Sequence, residues 1–175
     1  MKYLNGTTDL GICLEPELGI LSIHAYVDAS FAVHADFKSH TGVVVTLGGG
    51  GIYFRSTKQK LNSTSSTEAE LIGVADAMPQ IIHLRDFLIQ QGYLIGPAIM
   101  YQDNMSTIQL IKNGRSNSDR SRHINIRFFF AKDRVDQGEL VLKHMPTDQM
   151  IADILTKPLQ GEKFRTLRAK LLNWY

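Results

Sequence analysis

The chain of 175 residues carries one cysteine, Cys13, one tryptophan and five prolines. A lone thiol can close no internal disulfide and cannot build a thiolate zinc site, so a packed core must hold the fold and a reducing, intracellular setting is expected. No apolar run approaches the roughly 20 residues of a membrane span. The start, MKYLNGTTDLGICLEPELG, lacks the basic opening and apolar centre of a signal peptide. Net charge is also scarce, at +2. What basic character exists is concentrated: between Lys112 and Arg134 seven lysines or arginines face two acids, Asp119 and Asp133. Such a patch suits phosphate.

Hydrophobic residues make up 43% of the chain, enough for one well-filled core in a chain too short for two comfortable domains. Three β-prone runs come first: Leu21 to Asp28, TGVVVTL (Thr41 to Leu47) and GIYFRS (Gly51 to Ser56), the last two divided by a glycine cluster that signals a hairpin. The period then lengthens. Leu71, Val74, Ala75, Met78, Ile82 and Leu88 fall at helical spacing behind STSSTEAE, where Ser65 and Glu68 have capping-box separation. Pro79 is expected to kink or break this helix near Ala75. AIMYQD (Ala98 to Asp103) reads as a fourth strand, NMSTIQLIKNG as a short helix, and Ile124, Phe128, Ala131 and Val135 as one face of another. ELVLKHM (Glu139 to Met145) gives a fifth strand. A helix from Thr147 through Ile151, Ile154 and Leu155 should end at Pro158, before a last, basic helical segment from Gly161. This order predicts an α/β fold: a five-stranded mixed sheet, antiparallel over strands one to three and parallel thereafter, with helices on both faces.

Most of the seventeen acids have an ordinary reading, with Asp86, Asp133, Asp136 and Glu139 solvated among lysines and arginines on amphipathic segments and Asp9, Glu15 and Glu17 in a poorly patterned leader. Four do not. Asp28 interrupts an apolar strand in HAYVDASFA, Glu70 stands where the apolar stripe of its helix begins, Asp103 ends a strand, and Asp153 lies between Ile151 and Ile154. If the first and fourth strands are neighbours, these carboxylates converge and repel one another unless a cation joins them. Oxygen-only ligands favour Mg²⁺, or Mn²⁺ in its place, over zinc. Two such ions a few ångströms apart support in-line phosphodiester hydrolysis, with Asp28 the best candidate to bridge them.

YVDAS, SSTEAEL, YQDN, RHINIRFFF and IADILTKPL, in this order and at these separations, closely resemble the ribonuclease H domain at the end of the polyprotein of copia-type long-terminal-repeat retrotransposons. The likeness covers roughly residues 21–159. It implies a ribonuclease H-like fold and an endoribonuclease that cuts the RNA strand of RNA/DNA hybrids during reverse transcription with two Mg²⁺ ions. The family's carboxylate quartet falls on Asp28, Glu70, Asp103 and Asp153. Of the two glutamates in TEAE, Glu70 directly precedes the apolar run, as in the family, and Glu68 is left to the cap. Spacing and charge make residues 160–175 a basic C-terminal helix or tail, and the resemblance further implies that residues 1–20 are a connector from a reverse transcriptase and that the reverse transcriptase of the same polyprotein is a partner. An active element would place the chain in cytoplasmic virus-like particles. Phe31 stands where many members carry tryptophan, and Pro79 is also a departure.

A hybrid of arbitrary sequence must be gripped by its backbones. Arg115, Arg120, Arg122 and Arg127 are candidate phosphate contacts, with Lys58, Lys60 and the hydroxyl-rich NSTSST as a second strip and His123 divided between phosphate contact and helix capping. His144, nine positions before Asp153, is a candidate auxiliary group, although an ordinary strand-end histidine is the better expectation. An alternative from another class is a nucleic-acid-binding or docking remnant with little activity of its own. A third is a different nuclease or transposase on the same fold.

Overall fold

The computed structural model describes residues 1–15, 19–113 and 122–174, with side chains in the last span from Asn125 onward. Five strands form one sheet: β1 (His24–Ser30), β2 (His40–Leu47), β3 (Gly50–Lys58), β4 (Ala98–Gln102) and β5 (Leu140–His144). Their order is β3-β2-β1-β4-β5, with β1, β2 and β3 antiparallel and β4 parallel to both β1 and β5. Gly48 and Gly49 close the β2–β3 hairpin with φ of 59° and 80°, a backbone that side chains resist. The helices are α1 (Lys2–Asn5), α2 (Ser66–Gln90), α3 (Met105–Asn113), α4 (Arg122–Asp136), α5 (Asp153–Thr156) and α6 (Gly161–Leu172).

Adjacent residues of one strand face opposite ways, and β2 shows what lies on each side. A side chain added at Gly73 of α2 would meet Thr41 at 3.3 Å, whereas one at Gly42 would lie 2.8 Å from Thr156 and 2.9 Å from the Ala152 carbonyl. Helix α2 therefore covers one face and the α5 region the other. The main core lies under α2, where Val27, Val43, Leu71, Val74, Met78 and Ile81 are buried, and α4 adds Phe128 and Ala131.

Two elements differ from the sequence expectation. Pro79 does not break α2, which runs unbroken for 25 residues. Pro79 is exposed while Ala75, Ala77, Met78 and Ile81 are buried, so apolar packing outweighs one missing hydrogen bond on the wet side of the helix. The single helix expected from Thr147 is instead a 3₁₀ turn, Thr147–Gln149, followed by an extended Met150 and the short α5. Met150, Ile151 and Ala152 are all buried, and three consecutive inward residues do not fit one helical face. Lys157, before Pro158, is extended (φ −128°, ψ 140°) and ends α5.

The N-terminal segment packs against the C-terminal one. Tyr3 meets Phe164 edge-on at 6.0 Å, and the Cys13 amide donates to the Leu172 carbonyl at 2.8 Å. Among the described residues no helix is long and apolar enough to cross a membrane.

Candidate metal centre

Parallel pairing of β1 with β4 brings two acids from distant parts of the chain to one edge of the sheet. Asp28 sits in β1 opposite Gly42, and Asp103 follows the last residue of β4. Helix α2 supplies the third acid. The Ser65 hydroxyl accepts from the Glu68 amide at 3.2 Å, and Glu68 accepts from the amide (2.8 Å) and hydroxyl (2.6 Å) of Thr64, which fixes the start of α2. Glu68 thus belongs to the cap. Glu70, one turn into α2 and 5% exposed, turns inward to the β1–β4 pair. One oxygen from each of Asp28, Glu70 and Asp103 lies within 4.8 Å of the others.

Three carboxylates this close resist ionising together. Burial pushes Glu70 well above the usual glutamate range, the charge of Asp28 adds to it, and hydrogen bonds from the Gln102 amide and Ala29 N–H offset only part. Asp28 is also raised, first by burial, although the Thr156 hydroxyl and Lys157 ammonium act in the opposite sense. A hard divalent cation relieves both burdens, and an all-oxygen donor set of this size fits Mg²⁺ or Mn²⁺.

The supporting polar groups were not singled out by sequence reasoning. Gln102, fully buried, donates from Nε2 to Glu70 Oε2 at 3.0 Å and accepts the Asn104 amide at 3.0 Å. It ties the strand end to the helix acid. The Ala29 amide donates to Glu70 Oε1 at 3.1 Å, Thr147 Oγ1 donates to Asp103 Oδ2 at 2.8 Å, and Thr156 Oγ1 donates to Asp28 Oδ2. The contact to Asp28 explains Gly42: any larger residue there would push α5 off the sheet and withdraw Thr156. A buried glutamine just before a strand-end acid, and the hydroxyl and ammonium inside ILTKPL, were the available signals.

Asp153 is placed differently. Its carboxylate is fully buried and held by two lysines, Lys157 Nζ at 2.5 Å from Oδ1 and Lys163 Nζ at 2.7 Å from Oδ2. Lys157 also lies 3.4 Å from Asp28 Oδ1, so one ammonium spans the gap between Asp153 and the other three acids. Burial works against that ammonium, but the hydrogen bond to Asp153 and the charge of Asp28 outweigh it and raise its pKa. The structure therefore brings three of the four acids together and puts a lysine between them and the fourth.

The remaining candidates scatter around this centre. His144 is exposed at the end of β5, in register with Gln102. Lys58 pairs with Asp36 at 2.7 Å, and its hydrogen bond holds that carboxyl below the usual range. Lys60 is exposed. Arg127 Nη2 donates to Asp76 Oδ1 at 3.0 Å. In NSTSST, Ser63 pairs with Ser39 at 2.7 Å while Thr64 and Ser65 serve the α2 cap. Arg115 and Arg120, and the side chains of Arg122 and His123, lie outside the described residues.

No protein-family model matches the chain. By sequence it is 36% identical over 173 residues to the retrovirus-related Pol polyprotein from transposon RE2 of Arabidopsis thaliana, covering 98% of this chain and 12% of that protein. To the corresponding polyprotein from transposon TNT 1-94 of Nicotiana tabacum it is 34% identical over 165 residues, covering 94% and 12%. The chain thus spans about an eighth of the length of these relatives. Among solved structures, LC11-RNase H1 in complex with RNA/DNA hybrid superposes with a TM-score of 0.55 at 17% identity, over 76% of this chain and 92% of that one. The N-terminal RNase H domain of a Mycobacterium tuberculosis protein gives 0.52 at 13% identity, over 85% and 96%. The chain is a homologue, along nearly its whole length, of a segment of the retrovirus-related Pol polyproteins of copia-type transposons, and its fold is ribonuclease H-like.

Proposed function

We propose that this chain is a divalent-metal-dependent ribonuclease H that cuts the RNA strand of RNA/DNA hybrids during retrotransposon reverse transcription. The observation that carries the proposal is the convergence of Asp28, Glu70 and Asp103, with oxygens within 4.8 Å, at one edge of a ribonuclease H-like sheet. Those three side chains hold the metal. Bound divalent ions supply a water of lowered pKa and neutralise charge on the leaving oxygen. Gln102 and the Ala29 amide orient Glu70, Thr156 orients Asp28, and Thr147 orients Asp103. Asp153, the fourth acid that the resemblance assigns to the quartet, stands behind Lys157, which pairs with it and reaches Asp28. Backbone contacts give sequence tolerance, and the 2′-hydroxyl distinguishes the RNA strand. The reverse transcriptase of the same polyprotein is the proposed partner in holding the duplex.

The test is a labelled hybrid incubated with the purified chain. RNA fragments with 3′-hydroxyl ends should form in Mg²⁺ and not in EDTA, while a DNA-only duplex stays intact. A folded sample that leaves the hybrid whole refutes activity. One observation favours a binding or docking remnant instead: both oxygens of Asp153 are already satisfied by lysines. Hybrid binding without cleavage would select that reading.

A further inference from the structure

A cleft of about 210 Å³ opens between β3, α2 and α4, on the α2 side of the sheet and away from Asp28. Arg55, Lys58, Lys60 and Arg127 line it with one carboxylate, Asp76; Lys58 is already paired with Asp36 and Arg127 with Asp76, which leaves Arg55 and Lys60 as its unpaired cations among the described residues. Three of these four are the residues that the sequence offered as phosphate contacts, although they come from separate elements.

The opposite wall is rich in acceptors. Gln59, 3% exposed, donates its amide to Thr41 Oγ1 at 2.9 Å and to the Ala69 carbonyl at 2.8 Å, which leaves its Oε1 buried with no partner. Arg127 Nε is likewise buried and unpartnered. Buried polar atoms of this kind are uncommon and point to a missing water or ligand group. Pro79 and Ala75 also line the cleft. Because Pro79 has no N–H, the Ala75 carbonyl receives no helical i+4 donor.

Cations on one side and unsatisfied acceptors on the other call for a ligand that is both an anion and a hydroxyl donor. The volume lies below the roughly 300 Å³ at which drug-sized pockets begin, so one sugar–phosphate unit fits better than a whole nucleotide with its base. We propose that this cleft seats the backbone of an RNA strand, its phosphate on Arg55 and Lys60 and its ribose hydroxyl toward the Ala75–Gln59 wall. The site rests on the nucleic-acid reading above and extends it to a contact away from the carboxylates.

Fluorescence anisotropy tests it in EDTA, with the full chain and labelled RNA, DNA of the same sequence, and their hybrid. Arg55→Ala/Lys60→Ala should weaken RNA and hybrid binding about tenfold and lower the salt slope by nearly two contacts. The control Lys2→Ala/Lys170→Ala, outside both this cleft and the basic patch between Lys112 and Arg134, should leave both unchanged. Pro79→Ala, which restores an N–H to the Ala75 carbonyl, should shrink the preference for RNA over DNA while keeping the phosphate contacts. Equal losses from the two double variants, or an undiminished RNA preference in Pro79→Ala, overturns the proposal. Cleavage is scored separately: a chain that cuts normally but binds RNA independently of Arg55 and Lys60 loses this site and keeps its nuclease reading, and one that binds as expected but never cuts does the reverse.

Discussion

The two sides of the acidic centre solve the same electrostatic problem in different ways. Glu70 and Asp103 are held by neutral donors, Gln102, Thr147 and a backbone amide, and Asp28 by the Thr156 hydroxyl with Lys157 farther off at 3.4 Å; burial drives Asp28 and Glu70 toward protonation. Asp153 is more deeply buried yet paired with two ammonium groups. Neutral donors position a carboxylate without cancelling its charge, so the first side stays available to a metal. The second is internally neutralised, and its lysines also tie α6 to the start of α5. Lys157, touching both Asp28 and Asp153, marks the boundary.

Substitutions break this comparison with graded effects. Asp28→Asn removes a ligand charge at nearly constant volume and should lower hybrid cleavage by several kcal/mol of transition-state stabilisation, on the order of 10³-fold, with little change in circular dichroism. Lys157→Met/Lys163→Met should act on stability instead. It leaves a buried carboxylate without its partners, a loss of about 3–5 kcal/mol at most, since both lysines are partly exposed. Denaturant midpoints measure it, and adding Asp153→Asn should recover much of the loss.

Gln102→Leu should lower Mn²⁺ affinity by about 10- to 100-fold in calorimetry, because the orientation of Glu70 is lost while its charge remains. The smallest effect is on pH dependence. The raised Glu70 pKa means that the fold prefers the protonated acid, so its stability contribution is full below the usual value of 4.5 and is lost as pH rises through the raised pKa. The metal-free melting temperature should therefore decline across that window by about 2–4 °C per kcal/mol lost. Glu70→Gln should flatten the decline, and saturating Mg²⁺ should oppose it in the wild type.

Much of this was legible in residues whose type conflicts with their local pattern. A charge inside the apolar run of β1 and another at the end of β4 could be read from the sequence because strand periodicity assigns those positions to a half-buried sheet. Ser65 and Glu68 revealed the start of α2 through capping chemistry, which also separated Glu68 from Glu70. The partners of Asp153 were not legible, because the lysines at 157 and 163 lie on segments that look like an ordinary solvated basic tail until α6 folds back on α5. Pro79 misled for a related reason: local propensity disfavours it, but the packing of Met78 and Ile81 on the sheet decides.

Electron paramagnetic resonance during Mn²⁺ titration tests the contrast between the two sides most directly. Wild type and Asp153→Asn should both take up the ion, whereas Asp28→Asn should leave it free in solution at the same concentrations. Equal uptake by wild type and Asp28→Asn, or loss of uptake in Asp153→Asn alone, would contradict the assignment of the cation to Asp28, Glu70 and Asp103.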